Sequence, residues 1–193
     1  MENLLGKNKV LTAVFISGKG TNLKKLIQFS KTKNSPIKIS LIVSSNSKAE
    51  GLKYSLKHKI KKYVVTINDR NFEDKILKNL KINKIQFICL AGYMKILSKK
   101  FIKNFKGKII NIHPSLLPKY KGLNTHEKVI KNKEKYTGCT VHYVNDKLDS
   151  GKIILQKKIK IFKNDNPKSI KRRVLNEEHQ TYYKAILKIF NVI

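Results

Sequence analysis

The sequence predicts one α/β domain built on a mostly parallel sheet covered by helices, and three observations carry that expectation. Apolar, β-branched-rich runs alternate with polar stretches of helical spacing. No internal repeat, low-complexity tract or linker divides the chain. With 193 residues, 40% of them hydrophobic, the chain can bury one real core, and nothing in it calls for a second.

In chain order, VLTAVFIS, IKISLIVS, YVVTI, IQFICLAG, KIINI, TVHYV and IILQKKIKIF read as strands. Between the early ones, NLKKLIQFSK and NFEDKILKNL have the period of amphipathic helices, and Phe72, Ile76, Leu77 and Leu80 fall on one face. The stretch from Pro167 opens with proline near a first helical turn. It carries Ile170, Val174, Tyr182, Ile186 and Ile189, which predicts a long C-terminal helix packed back on the sheet.

Composition excludes several classes. Cys89 and Cys139 are too few and too far apart for a disulfide framework or a CxxC motif, so a reducing, cytoplasmic setting fits. VLTAVFI is too short to span a bilayer, and MENLLGKNK lacks the apolar core of a signal peptide. The net charge of +31 is the usual mark of a nucleic-acid-binding protein. Here the basic residues are almost all lysine, with arginine only at Arg70, Arg172 and Arg173, whereas bidentate phosphate and base recognition favours arginine. The lysines are also spread along the chain rather than gathered into a stripe interleaved with aromatics. They read as a solvated surface that raises the local concentration of anionic substrates, not as a dedicated binding face.

Four stretches stand out for chemistry. In NIHPSLLPKYKG, residues 111 to 122, an Asn-x-His pair follows directly on a strand, where an α/β fold binds its ligands; a turn histidine before proline is the plainer alternative. ISGKGTNL, residues 16 to 23, turns on glycines into a helix whose first amides favour a phosphate. Its third glycine is missing at Leu23 and it lacks the Walker pattern, so the phosphate it suits is a single one on a small substrate. NDKLDSGKIILQ places Asp146 and Asp149 in a loop between strands, where a carboxylate takes a proton, orients a histidine or caps a turn. LAGYMKIL ends a strand in a glycine and an apolar turn able to wall a flat ring or to fill core.

ISGKGTNL, LAGYMKILS, NIHPSLLPKYKG and LDSGKIILQ, in this order and spacing, resemble the phosphoribosylglycinamide formyltransferases, folate-dependent enzymes of purine synthesis. The likeness runs from about Val10 to the last helix. It implies a doubly wound α/β fold with helices on both faces: a formyltransferase domain over 10–193 behind a flexible extension, 1–9. It further implies transfer of formyl from 10-formyltetrahydrofolate, a co-substrate, to the amine of glycinamide ribonucleotide. No metal is implied, and the molecule is expected as a monomer or homodimer in the cytoplasm, without membrane or specific nucleic-acid partners.

By the same resemblance, Asn111, His113 and Asp149 take the positions of the catalytic trio. Gly20, Thr21 and Asn22 match the loop that holds the substrate phosphate, and Glu178 in NEEH matches the acidic residue that holds the nucleotide substrate. For the folate the matching positions are Arg70, Met94, Lys95, Ile96 and Leu97, with Asn111 and the loop Asn145, Asp146, Lys147 and Leu148. The chain departs from the family pattern at Lys121 and Asn124, where some relatives carry Pro and His, and at Lys95, where Arg is common. His58, His126, His142 and His179 are read as structural or surface residues, and their spacing does not suit zinc.

Two rival readings share the formyl-handling core: a formyltransferase acting on initiator aminoacyl-tRNA, and a deformylase that hydrolyses formylfolate. Each normally carries a further domain for which this length leaves no room. A basic nucleic-acid-binding module without catalysis is the third rival.

Overall fold

The computed structural model describes residues 9–65 and 71–193. Seven strands form one sheet: β1 (Val10–Ile16), β2 (Ile37–Ser44), β3 (Lys61–Val64), β4 (Phe87–Leu90), β5 (Lys108–His113), β6 (Tyr136–Tyr143) and β7 (Ile153–Lys160). Their spatial order is β3-β2-β1-β4-β5-β6-β7. The first five pair in parallel, while β6 and β7 run antiparallel at one side. The helices are α1 (Thr21–Ser30), α2 (Lys53–His58), α3 (Phe72–Ile82), α4 (Lys99–Asn104), α5 (Thr125–Lys131) and α6 (Pro167–Ile189).

The parallel centre explains the continuous apolar runs. Strands covered on both faces have no side left to present to water, so alternate residues feed opposite cores. In β1, Val14 and Ile16 enter a cluster with Leu23, Leu26 and Ile27 of α1 and Tyr182, Ala185 and Ile186 of α6. Its neighbours Ala13 and Phe15 enter a second cluster with Ile76 and Leu80 of α3 and Phe101 of α4. Helices therefore lie on both faces of the sheet, as a doubly wound fold requires. A third cluster joins Val129 of α5, Cys139 of β6 and Ile170 and Val174 of α6. The thiols of Cys89 and Cys139 are free and fully buried.

α6 begins where the sequence places its signals. Asn166 accepts from the Lys168 and Ser169 amides, Ser169 Oγ accepts in return from the Asn166 amide, and Pro167 opens the first turn. The helix is anchored by Tyr182, whose buried hydroxyl donates to Leu90 O at 2.8 Å and approaches Ile110 O at 3.3 Å, at the ends of β4 and β5.

Strand order sets the place for a ligand. The chain runs from β1 outward to β2 and β3, then crosses to β4 on the other side of β1. The loops leaving β1 and β4 part in opposite directions and leave a crevice at the strands' carboxyl ends. No helix among the described residues is long and apolar enough to cross a membrane.

Candidate active site

The crevice is a cleft of about 680 Å³, lined by residues from every stretch that the sequence singled out. Asn111 and His113 reach it from the carboxyl end of β5; the intervening Ile112 packs into the first core cluster and also borders the cleft. Asp149 arrives from the β6–β7 loop with φ of +45°, a left-handed conformation that Asp tolerates better than most residues.

These three side chains converge. Asp149 Oδ2 lies 3.3 Å from His113 Nδ1 and accepts the Gly122 amide at 2.9 Å, while Asp149 Oδ1 lies 3.4 Å from Asn111 Nδ2. His113 Nε2 donates to Tyr120 O at 2.8 Å, so both ring nitrogens face acceptors, an arrangement that only the imidazolium satisfies fully. Burial pulls the His113 pKa down, against the Tyr120 carbonyl and the Asp149 carboxylate, and the net result lies below the ordinary histidine value. For Asp149, burial pushes up, but hydrogen bonds from His142 and Gly122 and the field of both imidazoles outweigh it. Its carboxyl is held below the usual carboxylate range.

His142, set aside on sequence grounds, belongs to this cluster. It stands opposite Asn111 in the antiparallel β5–β6 register. Its Nδ1 lies 2.8 Å from Tyr143 O, and its Nε2 lies 3.3 Å from Asn111 Nδ2. Nε2 is also 3.5 Å from Asp149 Oδ1. The signal that would have found it is cross-strand pairing, which sequence spacing does not display. His126 also lines the cleft, its Nδ1 buried without a partner among the described residues. His58 and His179 lie elsewhere.

Also lining the cleft, Asn22 of α1 donates to Glu178 Oε2 of α6 at 2.7 Å. Burial pushes the Glu178 carboxyl up to about 7 against that hydrogen bond and the field of Lys171. Gly20 and Thr21 stand just behind Asn22 at the start of α1 and do not themselves line the cleft. Gly20 has φ of +70°, and a Cβ there would meet the Gly51 Cα at 2.7 Å, so both the turn and the close approach require glycine. No side chain caps α1, which leaves its first-turn amides available.

The apolar wall is the stretch after β4. Met94, Lys95, Ile96 and Leu97 all line the cleft; Met94 and Ile96 are exposed and Leu97 is buried. Asn145, Lys147 and Leu148 face them from the β6–β7 loop. Asp146 lies outside the lining, with Oδ2 3.9 Å from Lys99 Nζ. Arg70 lies outside the described residues.

A doubly wound α/β domain that gathers Asn, His and Asp donors and acceptors beside a flat apolar wall and a free helix N-terminus defines a class: an enzyme handling a carbonyl-type group on one ligand and an anionic second ligand. Residues 10–186 match the model of the Formyl transferase family, and the chain belongs to it. It is 41% identical over 174 residues to the phosphoribosylglycinamide formyltransferase of Haemophilus influenzae, covering 88% of this chain and 82% of that one. It is 39% identical over 183 residues to the trifunctional purine biosynthetic protein adenosine-3 of Gallus gallus, covering 93% of this chain but spanning only 18% of that relative's length. The crystal structure of phosphoribosylglycinamide formyltransferase from Anaplasma phagocytophilum superposes with a TM-score of 0.87 at 39% identity, covering 93% of this chain and 85% of that one.

Proposed function

We propose that this chain transfers the formyl group of 10-formyltetrahydrofolate to the amine of glycinamide ribonucleotide, a step of purine biosynthesis, in the cytoplasm. The observation that carries the reading is the convergence of Asn111, His113 and Asp149 in a cleft that Asn22 and Glu178 also line. Likeness to formyltransferases supports the choice of substrates.

In this reading the ribonucleotide lies along α1 and α6. Its phosphate takes the amides that follow Gly20, at Thr21 and Asn22, and Glu178 accepts from the sugar hydroxyls. The folate ring lies against Met94 to Leu97, with Asn145, Lys147 and Leu148 closing over it. Asp146, from outside this wall, and Arg70 are further folate contacts that the family resemblance implies.

The chemistry follows from where charge develops. The amine attacks the formyl carbon, the carbonyl π electrons move to oxygen, and donors from Asn111 and protonated His113 stabilise the oxyanion. The contacts of Asn111 are 3.3 and 3.4 Å long, slack enough for the amide to turn toward a ligand. Asp149 favours the charged form of His113 against burial and takes the proton that the attacking nitrogen loses, directly or through a water. Collapse of the intermediate breaks the bond between carbon and the folate nitrogen, which takes up a proton.

The test is incubation with 10-formyltetrahydrofolate with and without glycinamide ribonucleotide, following loss of the formyl group optically. Turnover that requires the ribonucleotide is the expected result. Formyl loss without it would instead identify a deformylase, and no reaction with either would overturn the proposal.

A further inference from the structure

We propose that Ser17 is a positioning residue that ties the folate wall to the loop holding the nucleotide, an inference that rests on the assignment of those two regions above. Ser17 is the first residue past β1, at the switch point of the sheet. It makes polar contacts in three directions. Its amide donates to Gly92 O at 3.0 Å, carrying the β1–β4 pairing beyond the strands. Its carbonyl accepts from Asn46 Nδ2 at 3.2 Å. Its hydroxyl accepts from the Met94 amide at 2.8 Å and shares a proton with Ser45 Oγ at 2.6 Å.

The hydroxyl is suited to this place because it has one proton and two lone pairs. One lone pair takes the Met94 amide, and the remaining proton or lone pair meets Ser45, which is buried at the end of β2. Ser45 is itself held, its amide donating to Ile16 O at 3.2 Å. The wall residue is thus referenced to both neighbours of β1. One residue further on, Gly18 O accepts the Gly51 amide at 3.0 Å, and Gly20 packs against Gly51. The same short segment therefore fixes the start of α1.

Tyr93 and Leu97 pack the two ends of the wall into the second core cluster, and Met94 to Ile96 between them have little else to hold them. Tyr93 to Leu97 adopts no regular structure and exposes Met94 and Ile96 to 66% and 70%. Among the described residues, the Met94 amide makes the one polar contact that binds this stretch to the body of the protein. The Tyr93 ring, edge-on to Phe15 at 5.2 Å, adds an apolar contact at its base. Removing the hydroxyl frees the solvent-accessible Met94 amide and leaves the buried Ser45 Oγ without its partner, so the wall loosens at a modest cost in stability while the fold stands.

The experiment compares wild type with Ser17→Ala and Ser17→Thr. Calorimetry gives the dissociation constants of tetrahydrofolate and of glycinamide ribonucleotide separately; steady-state kinetics gives KM for each substrate and kcat. Ser17→Ala weakens tetrahydrofolate about fivefold, the net worth of one hydrogen bond, and raises the formylfolate KM to match. The ribonucleotide constant and kcat stay within about twofold, and Ser17→Thr, which keeps the hydroxyl, returns toward wild type.

An unchanged tetrahydrofolate constant in Ser17→Ala overturns the proposal. So does equal weakening of both ligands together with a lowered melting temperature, which would make Ser17 a general structural residue. Wild type that binds tetrahydrofolate but does not transfer formyl refutes the proposed reaction while leaving the effect of Ser17 on folate binding measurable. Wild type that binds no tetrahydrofolate refutes both.

Discussion

Asn22 and Glu178, separated by 156 residues of chain, meet through a 2.7 Å hydrogen bond that joins the first helix to the last at the cleft wall. The carboxylate is buried, and the Asn22 hydrogen bond and the field of Lys171 offset that burial only in part.

That burial has a pH signature. The Glu178 pKa is raised from its ordinary 4.5 to about 7, so between those values the folded protein holds a proton that the unfolded chain releases. Stability from this group is full below the ordinary value and falls as pH rises through the window, by on the order of 3 kcal/mol. Buried His113 and half-buried His126 and His179, whose values are lowered, act with the opposite slope near their ordinary value. The difference between wild type and Glu178→Gln in thermal unfolding from pH 4.5 to 8 isolates the carboxylate. Glu178→Gln is expected to become the more stable of the two, relative to their acid-side difference, as pH rises; parallel curves would refute it.

His113→Ala removes a donor placed where charge develops, and a loss of about 10²–10³ in kcat is expected with the circular dichroism spectrum unchanged. Asp149→Asn keeps the shape but not the charge that holds His113, and belongs in the same range. Near-normal turnover in both variants would displace this trio from the reaction.

Gly20→Ala puts a side chain into a left-handed turn and against the Gly51 backbone. The backbone alone costs about 1–2 kcal/mol, before the clash is relieved. A lower denaturant midpoint and a raised KM for the ribonucleotide, with the formylfolate KM little changed, are the expected pair of results. A midpoint equal to that of wild type would mean that the two glycines do not pack as described.

The net charge of +31 makes the protein bind any polyanion at low salt. A gel-shift titration with duplex and single-stranded nucleic acid is expected to show affinity falling linearly on a log-log plot with salt and vanishing near physiological strength. Binding that persists there and survives His113→Ala would revive the reading as a nucleic-acid-binding module.

Much of this was legible in the sequence, for identifiable reasons. Buried parallel strands such as Phe87–Leu90 are apolar throughout, and α6 advertises its start by Asn166, Pro167 and Ser169. The strand containing TVHYV proved longer, beginning at Tyr136, because Gly138 reads as a breaker. In the fold it is a point of contact: a Cβ there would lie 1.9 Å from Lys157 O on β7. β3 begins at Lys61, two residues before the expected run, since an edge strand carries exposed lysines that hide its pattern. Asn111 and His113 declared themselves by lying two apart at the carboxyl end of an apolar strand, whereas His142 joins them only through an antiparallel register. The short helices α2, α4 and α5 are too brief for periodicity to resolve.

A thiol-blocking reagent attacks only the thiolate, and this fold denies it both the ion and the path. Burial pushes Cys139 up to about 12 and Cys89 higher still, and each is sealed between the sheet and its helices. Modification must therefore wait for those layers to part. The rate at which the native protein takes up a label, set against reagent concentration, becomes a stopwatch for transient opening, with Cys89 timing the centre of the sheet and Cys139 its antiparallel flank.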